Sequence, residues 1–267
     1  MKRIFLTGAS AGIGRAIAEQ LCADGHEVWG TSRDQARLPQ LSRLHPVALD
    51  LTDSQSITSA FTAAEAEAGG FDALINNAGS GHFGPAELLP RDALEREFQT
   101  LVFGQVQLLQ LALRGMRARK CGTIINVTSL ASRLPVPFMA SYSAAKAAMA
   151  IFTMSLNLEL RSSGIRMVDV QPGDIHTNFN DAVTNFGSDA PDYKPALESI
   201  WKVVDENLRK APPPEIVAKE IARVLAMENP PPQITVGDFF QARFAPFILR
   251  FLPMRVQLWG LRKFYGI

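Results

Sequence analysis

Six short apolar runs, alternating for the most part with segments of helical period, constrain this chain more than any other feature. They are Arg3–Thr7, Glu27–Thr31, Pro46–Leu49, Ala73–Ile75, Thr123–Thr128 and Ile165–Val170. Most are apolar at odd and even positions alike, as a strand must be when helices cover both faces of its sheet. Between them lie a helix with Ile13, Ile17 and Leu21 on one face, stopped by Gly25, and one that Ser54 would cap and that runs to Ala68. Two longer ones are expected over Arg91–Ala118 and from just after Pro137 to Gly164. The pattern predicts one doubly wound, mostly parallel α/β sheet with helices on both faces.

In such a sheet the ligand crevice lies at the carboxyl ends of the strands. Every notable polar cluster of residues 1–173 falls at such an end. The first strand runs into Gly8-Ala9-Ser10-Ala11-Gly12-Ile13-Gly14, a glycine turn that opens a helix. Glycines let the backbone approach a phosphate, and the helix N-terminus offers free N–H groups and partial positive charge. The second strand ends in Ser32-Arg33-Asp34. In nucleotide-binding Rossmann units an acidic residue there holds a free ribose 2′-hydroxyl, whereas an Arg accommodates a 2′-phosphate. Arg33 leans towards NADP. Asp34 beside it pulls the other way, and a solvated turn residue is the plain alternative for Arg33. The remaining ends carry Asp50-Leu51, Asn76-Asn77-Ala78-Gly79, Ser129 and Pro172-Gly173. Two adjacent Asn at a strand end suit a crevice that reads a ligand's polar edge, since buried amides need partners.

Tyr142 and Lys146 stand four apart on the helix after Pro137, one above the other. A phenol has a pKa of about 10, and a nearby ammonium lowers it towards a useful acid–base range. Each residue alone has an ordinary reading: a half-buried aromatic, a solvated charge, a turn-forming serine. Their coincidence with the other strand ends is what favours a site.

Net charge is +1 without a long single-sign run, which gives no reason to expect nucleic-acid binding. The two cysteines, Cys22 and Cys121, lack metal-like spacing and fit a reducing compartment. The first strand pattern begins at Arg3, leaving no room for a signal peptide, and no apolar run reaches spanning length. A cytoplasmic protein without a metal is expected.

The motifs Thr7-Gly8-x-x-x-Gly12-x-Gly14, Asn76-Asn77-Ala78-Gly79, Ser129 thirteen residues before Tyr142, Tyr142-x-x-x-Lys146, and Pro172-Gly173 with Thr177 share an order and spacing over residues 1–180. In these the chain resembles the short-chain dehydrogenase/reductase family, in its short single-domain branch. Gly79–Pro85, Val102-Phe103-Gly104 and Ser155-Leu156-x-x-Glu159-Leu160 are most similar to the group with hydroxysteroid and retinol dehydrogenases. The resemblance implies hydride transfer between NADP(H), rather than NAD(H), and an alcohol or carbonyl compound of lipophilic character. It implies Tyr142 as general acid/base, Lys146 as its tuner and ribose ligand, and Ser129 as hydrogen-bond donor to the carbonyl oxygen. Gly8, Ser10, Gly12, Ile13 and Gly14 would line the pyrophosphate turn. Ser32 and Arg33 would meet the adenosine phosphate, and Asp50 and Leu51 the adenine. Asn77 and Gly79 would take the adjacent ribose region, and Ala78, Pro172, Gly173 and Thr177 would also bind the cofactor. One departure stands out: Leu101 occupies the position of an Asn that holds a relay water in the family. It is the one residue that favours the alternative, a non-catalytic NADP-binding sensor of the same fold.

Beyond the sheet, residues 174–212 carry Phe179, Phe186, Tyr193 and Trp201 where the family has a substrate flap. A packed helix pair is the ordinary alternative. A helix over 215–228 and a last strand at Gln233–Val236 follow, set off by two proline triplets. In the tail, about 238–267, Phe240, Phe244, Phe247 and Phe251 fall at helical spacing among Arg243, Arg250, Arg255, Arg262 and Lys263. Pro246 and Pro253 suit helix starts. The tail reads either as core or subunit contact or as a peripheral membrane contact. The long helices, the second rich in alanine, suit a homo-dimer or homo-tetramer interface.

Overall fold

The computed structural model describes the chain except residues 245, 246, 249 and 250; of residue 243 it describes the backbone only. The expected element at Pro246 and the contribution of Arg250 therefore lie outside the described residues. In chain order come β1 (Arg3–Leu6), α1 (Gly12–Ala23), β2 (Glu27–Ser32), β3 (Leu44–Ala48), α2 (Ser54–Ala68), β4 (Ala73–Asn76) and β5 (Gly81–Phe83). Then follow α3 (Arg91–Phe98), α4 (Gly104–Arg119), β6 (Gly122–Val127), α5 (Ala140–Glu159), β7 (Ile165–Pro172) and β8 (Val183–Asn185). Last are α6 (Lys194–Lys210), α7 (Glu215–Ala226), β9 (Gln233–Val236) and α8 (Met254–Tyr265).

Seven strands form one sheet in the order β3-β2-β1-β4-β6-β7-β9, and every pairing is parallel. The chain winds outward from β1 to β3, then restarts at β4 on the other side of β1. The switch point between β1 and β4 opens a crevice at their carboxyl ends. The two-faced pattern of the strands is realised residue by residue. Ile4 and Leu6 join a core with Ile17 and Leu21 of α1 and Val217 and Ile221 of α7. Phe5, between them, enters the opposite core with Phe61 of α2 and Leu108 of α4. There Phe5 meets Phe61 and Phe71 edge-on, with centroids 5.1 and 5.3 Å apart. Such contacts add about 0.5–1.5 kcal/mol each beyond area burial.

Three expectations are corrected. Asp53, not Ser54, caps α2, its carboxylate accepting from Gln55 N–H at 2.9 Å. The third strand begins at Leu44, two residues early, and carries Pro46 at the sheet edge, where a missing donor is tolerated. The helix expected over Arg91–Ala118 is broken by a wide π turn at Gln99–Phe103. Such insertions recur at functional sites because they re-aim side chains. This one contains Leu101.

Buried amides fix α5 over the sheet. Asn76 Nδ2 donates to Asn126 Oδ1 at 2.9 Å, and Asn126 Nδ2 donates to Thr153 Oγ1 at 2.8 Å. This ladder joins β4, β6 and α5, so the helix bearing Tyr142 and Lys146 has one register. Asn76 is thus a structural staple rather than a reader of ligand.

Candidate active site

A cavity of about 690 Å³ opens at the switch point. Each residue expected to bind the cofactor or take part in chemistry lines it: Gly8, Ser10, Gly12, Ile13, Gly14, Ser32, Arg33, Asp50, Leu51, Asn77, Ala78, Gly79, Ser129, Tyr142, Lys146, Pro172, Gly173 and Thr177. Leu101 does not; it is fully buried, its Cδ2 3.3 Å from where a Cβ on Gly79 would stand.

The glycine turn is shaped by close approach. Gly8 has φ +71°, and a Cβ on Gly14 would stand 2.0 Å from the Gly8 carbonyl oxygen. Asn77 Nδ2 donates to the carbonyls of Thr7 and Gly8, at 3.1 and 3.4 Å. Its amide nitrogen therefore helps to hold the turn. Thr7 Oγ1 accepts from the N–H groups of Asn77 and Ala78, at 2.9 and 3.0 Å. No side chain caps the N-terminus of α1, so its first N–H groups stay available at the cavity. That cradle fits the pyrophosphate of a dinucleotide.

At the adenosine end, Asp34 is spent on its own turn, Oδ1 accepting from Ala36 N–H at 3.0 Å. Arg33 is exposed on the cavity wall, and Arg37, four residues on, lines the same wall. Neither guanidinium has a partner among the described residues. In the sequence Arg37 is marked only by its four-residue spacing from Arg33. Asp50, expected at the adenine, turns its carboxylate to Thr52, accepting from the N–H at 2.9 Å and from Oγ1 at 2.8 Å.

At the reactive end, Ser129 follows β6 and caps a short 3₁₀ turn, its Oγ accepting from Ala131 N–H at 3.0 Å. The same hydroxyl and Tyr142 both line the cavity. Lys146 is buried, its Nζ donating to the Val127 carbonyl at 2.9 Å and standing 5.8 Å from the centre of the Tyr142 ring. Burial pushes the Tyr142 hydroxyl up to about 12, the Ser129 hydroxyl offsets part of this, and Glu97 adds to it. Desolvation disfavours the phenolate. Burial also pulls Lys146 down to about 8, against an upward pull from Asp169. Asp169 is held by Thr128, by Gln171 Nε2 at 2.7 Å and by Gln233 Nε2 at 3.0 Å.

Glu97 was not foreseen. Its side chain is fully buried, with His82 Nδ1 3.3 Å from Oε2 and the His82 N–H donating to Oε1 at 3.2 Å. It sits near the end of α3, one turn before Leu101. The signal was a Glu among residues of helical period, indistinguishable from a surface charge without the fold.

Residues after β7 cover the cavity. β8 pairs with β5, and α6 brings Trp201, Val204 and Leu208 to the wall. Phe179 stacks at a tilt on Tyr142, centroids 5.6 Å apart, and Trp201 meets Phe83 at 4.8 Å. Tyr265 of α8 completes this side. Among the later residues the aromatic and aliphatic side chains stand with Asn178, Asn180 and Asn207.

A crevice at the switch point of a parallel sheet, with a glycine cradle at one end and a Ser-Tyr-Lys set at the other, defines a dinucleotide-dependent oxidoreductase. A family model described as short chain dehydrogenase matches residues 2–186, and the chain belongs to that family, whose members are NAD(P)-dependent dehydrogenases and reductases. It is 32% identical to 3-ketodihydrosphingosine reductase of Bacteroides thetaiotaomicron, over 99% of this chain and 98% of the relative. It is 28% identical to the NADPH-dependent 1-acyldihydroxyacetone phosphate reductase of Saccharomyces cerevisiae, covering 98% of this chain and 89% of the relative. The crystal structure of a short-chain dehydrogenase from Streptomyces avermitilis superposes with a TM-score of 0.85 at 29% identity, covering 98% and 96% of the two chains.

Proposed function

We propose that the protein is a cytoplasmic, NADPH-dependent reductase that converts a ketone on a long-chain, lipid-like molecule to the secondary alcohol. The observation that carries this is the placement of Ser129, Tyr142 and Lys146 in one cavity with the glycine turn and an apolar wall. A phenol is protonated at neutral pH, which is the form that reduction consumes. Arg33 and Arg37 supply unpaired positive charge for a 2′-phosphate. The apolar wall from Phe179, Trp201, Val204 and Leu208 suits an aliphatic chain. Both named relatives reduce lipid-like ketones according to their names, and one is named as NADPH-dependent.

When bound, the dinucleotide supplies the hydride. Ser129 donates a hydrogen bond to the substrate carbonyl oxygen and stabilises the charge that develops there. Tyr142 gives its proton to that oxygen. Lys146 stabilises the phenolate left behind and holds the ribose hydroxyls. Residues 174–212 act as the flap that excludes water from this step.

The assembly is read as a homo-dimer or homo-tetramer through α4 and α5. Ala144, Ala148, Ile151, Met154 and Leu158 of α5 are exposed, Leu158 to 78%, beside Phe103 at 57%. Ala145 faces the interior, so the alanine-rich face is narrower than the sequence suggests. The tail is read as a peripheral membrane contact.

The test is NADPH oxidation by the purified protein with 3-keto long-chain amphiphiles and with short soluble ketones. Turnover should favour the long chains and NADPH over NADH. Equal rates for both chain lengths would overturn the substrate class, and equal use of both cofactors the NADP assignment.

A further inference from the structure

The helix α8 presents two different sides. On the inner side Leu261 and Tyr265 pack into a cluster with Trp201, Ile200 and Phe83, and Tyr265, 8% exposed, forms part of the cavity wall. The outer side, away from Tyr265, leaves Trp259 61% exposed, with Val256 also in water. Arg255, Arg262 and Lys263 are exposed on the same helix, and it has no acidic residue. No helix among the described residues is long and apolar enough to cross a membrane.

Charge is divided sharply along the chain. Residues 239–267 contain Arg243, Arg250, Arg255, Arg262 and Lys263 and no Asp or Glu. The whole chain has 27 Lys and Arg against 26 Asp and Glu, so residues 1–238 keep 22 against 26 and are net acidic. A molecule charged this way turns its tail toward an anionic surface and its body away from it.

We propose that the outer side of α8 docks on an anionic lipid bilayer and that this places the apolar wall of the cavity at the membrane, where a lipid ketone is taken up along α8. Exposed Trp among Arg and Lys, on a helix too short to span, is the composition of an interfacial contact. A second copy is the rival occupant. A two-fold contact would set this cationic side against itself, and like charges across an interface oppose association. The uptake route rests on the lipid-ketone reading above; the docking itself does not.

The experiment is co-sedimentation of the full chain with vesicles of phosphatidylcholine alone or mixed with phosphatidylglycerol. Binding should appear with phosphatidylglycerol, fall as salt rises, and weaken about tenfold or more in Arg255→Glu/Arg262→Glu/Lys263→Glu. Trp259 should shift its emission to the blue on those vesicles, and Trp259→Phe should remove that shift. The charge-reversed variant must bind NADPH like the parent, which shows that it is folded; if it does not, Lys263→Glu alone replaces it. Unchanged vesicle binding after reversal, or equal binding to both compositions, overturns docking by charge. A vesicle-free dimer in light scattering that the reversal dissolves gives the surface to a second copy instead. Because binding is read without turnover, a failed reductase assay leaves this result standing. Docking without any rate advantage for long-chain ketone in vesicles over the same ketone in detergent would overturn the uptake route.

Discussion

The cavity has two halves built by different means. Its dinucleotide side is made from strand ends and backbone of residues 1–173: Gly8 and Gly14 in the cradle, Asn77 bonding its carbonyls, Lys146 donating to a β6 carbonyl. Its other side is lined largely by side chains from later elements, Phe179, Trp201, Leu208 and Tyr265, with Val136 and Met139. The first half has little freedom, because each part is hydrogen-bonded into the sheet. The second is held by apolar and aromatic packing, which tolerates exchange of one large side chain for another. One scaffold can thus keep its reaction and change its substrate.

The contrast predicts that changes on the dinucleotide side alter catalysis or cofactor choice, whereas those on the substrate side alter selectivity. Tyr142→Phe should cut kcat by about 10²–10⁴, the usual contribution of a positioned acid, with NADPH affinity nearly unchanged. Retention of a tenth of the parent rate would remove Tyr142 from the role of acid. Arg33→Ala should weaken NADPH about 10- to 100-fold and NADH little, since a charge-assisted bond is worth about 1.5–3 kcal/mol. Equal losses for the two would show that the guanidinium does not read the 2′-phosphate.

Leu101→Asn should lower stability by about 1–3 kcal/mol, because a polar group would enter a fully buried apolar position. Thermal denaturation checks this, and an unshifted midpoint would mean that the site admits water. Trp201→Ala should raise KM for long-chain ketone about tenfold or less while leaving NADPH binding intact, as lost apolar contact predicts. A comparable loss of NADPH affinity would erase the distinction between the halves.

The smallest effect is expected at Glu97, which belongs to neither wall. Its carboxylate helps to hold Tyr142 protonated. Glu97→Gln should therefore lower the Tyr142 pKa, so alcohol oxidation, which needs the phenolate, should begin at a lower pH. His82 stands against Glu97, and Lys146 and Ser129 against Tyr142, so the profile should be repeated in His82→Gln. Activity lost without a displaced profile would make Glu97 a packing residue only.

What the sequence by itself determined is the part governed by local rules. Period-two runs apolar on both faces required a covered parallel sheet. The turn at Gly8–Gly14 required close backbone approach, and Tyr142 and Lys146 four apart on a helix required a shared face. All these depend on neighbours within a few residues. What only the tertiary structure decided depends on distant ones. That Asn77 reaches the Gly8 carbonyl is settled by how β4 lies against β1. The direction of the Tyr142 shift is settled by burial in the folded chain, where Phe179 stacks on the ring from 37 residues on and Glu97 adds to the shift from 45 residues back. Spacing shows which side chains can share a face, but desolvation and through-space charge act on whatever the fold brings near.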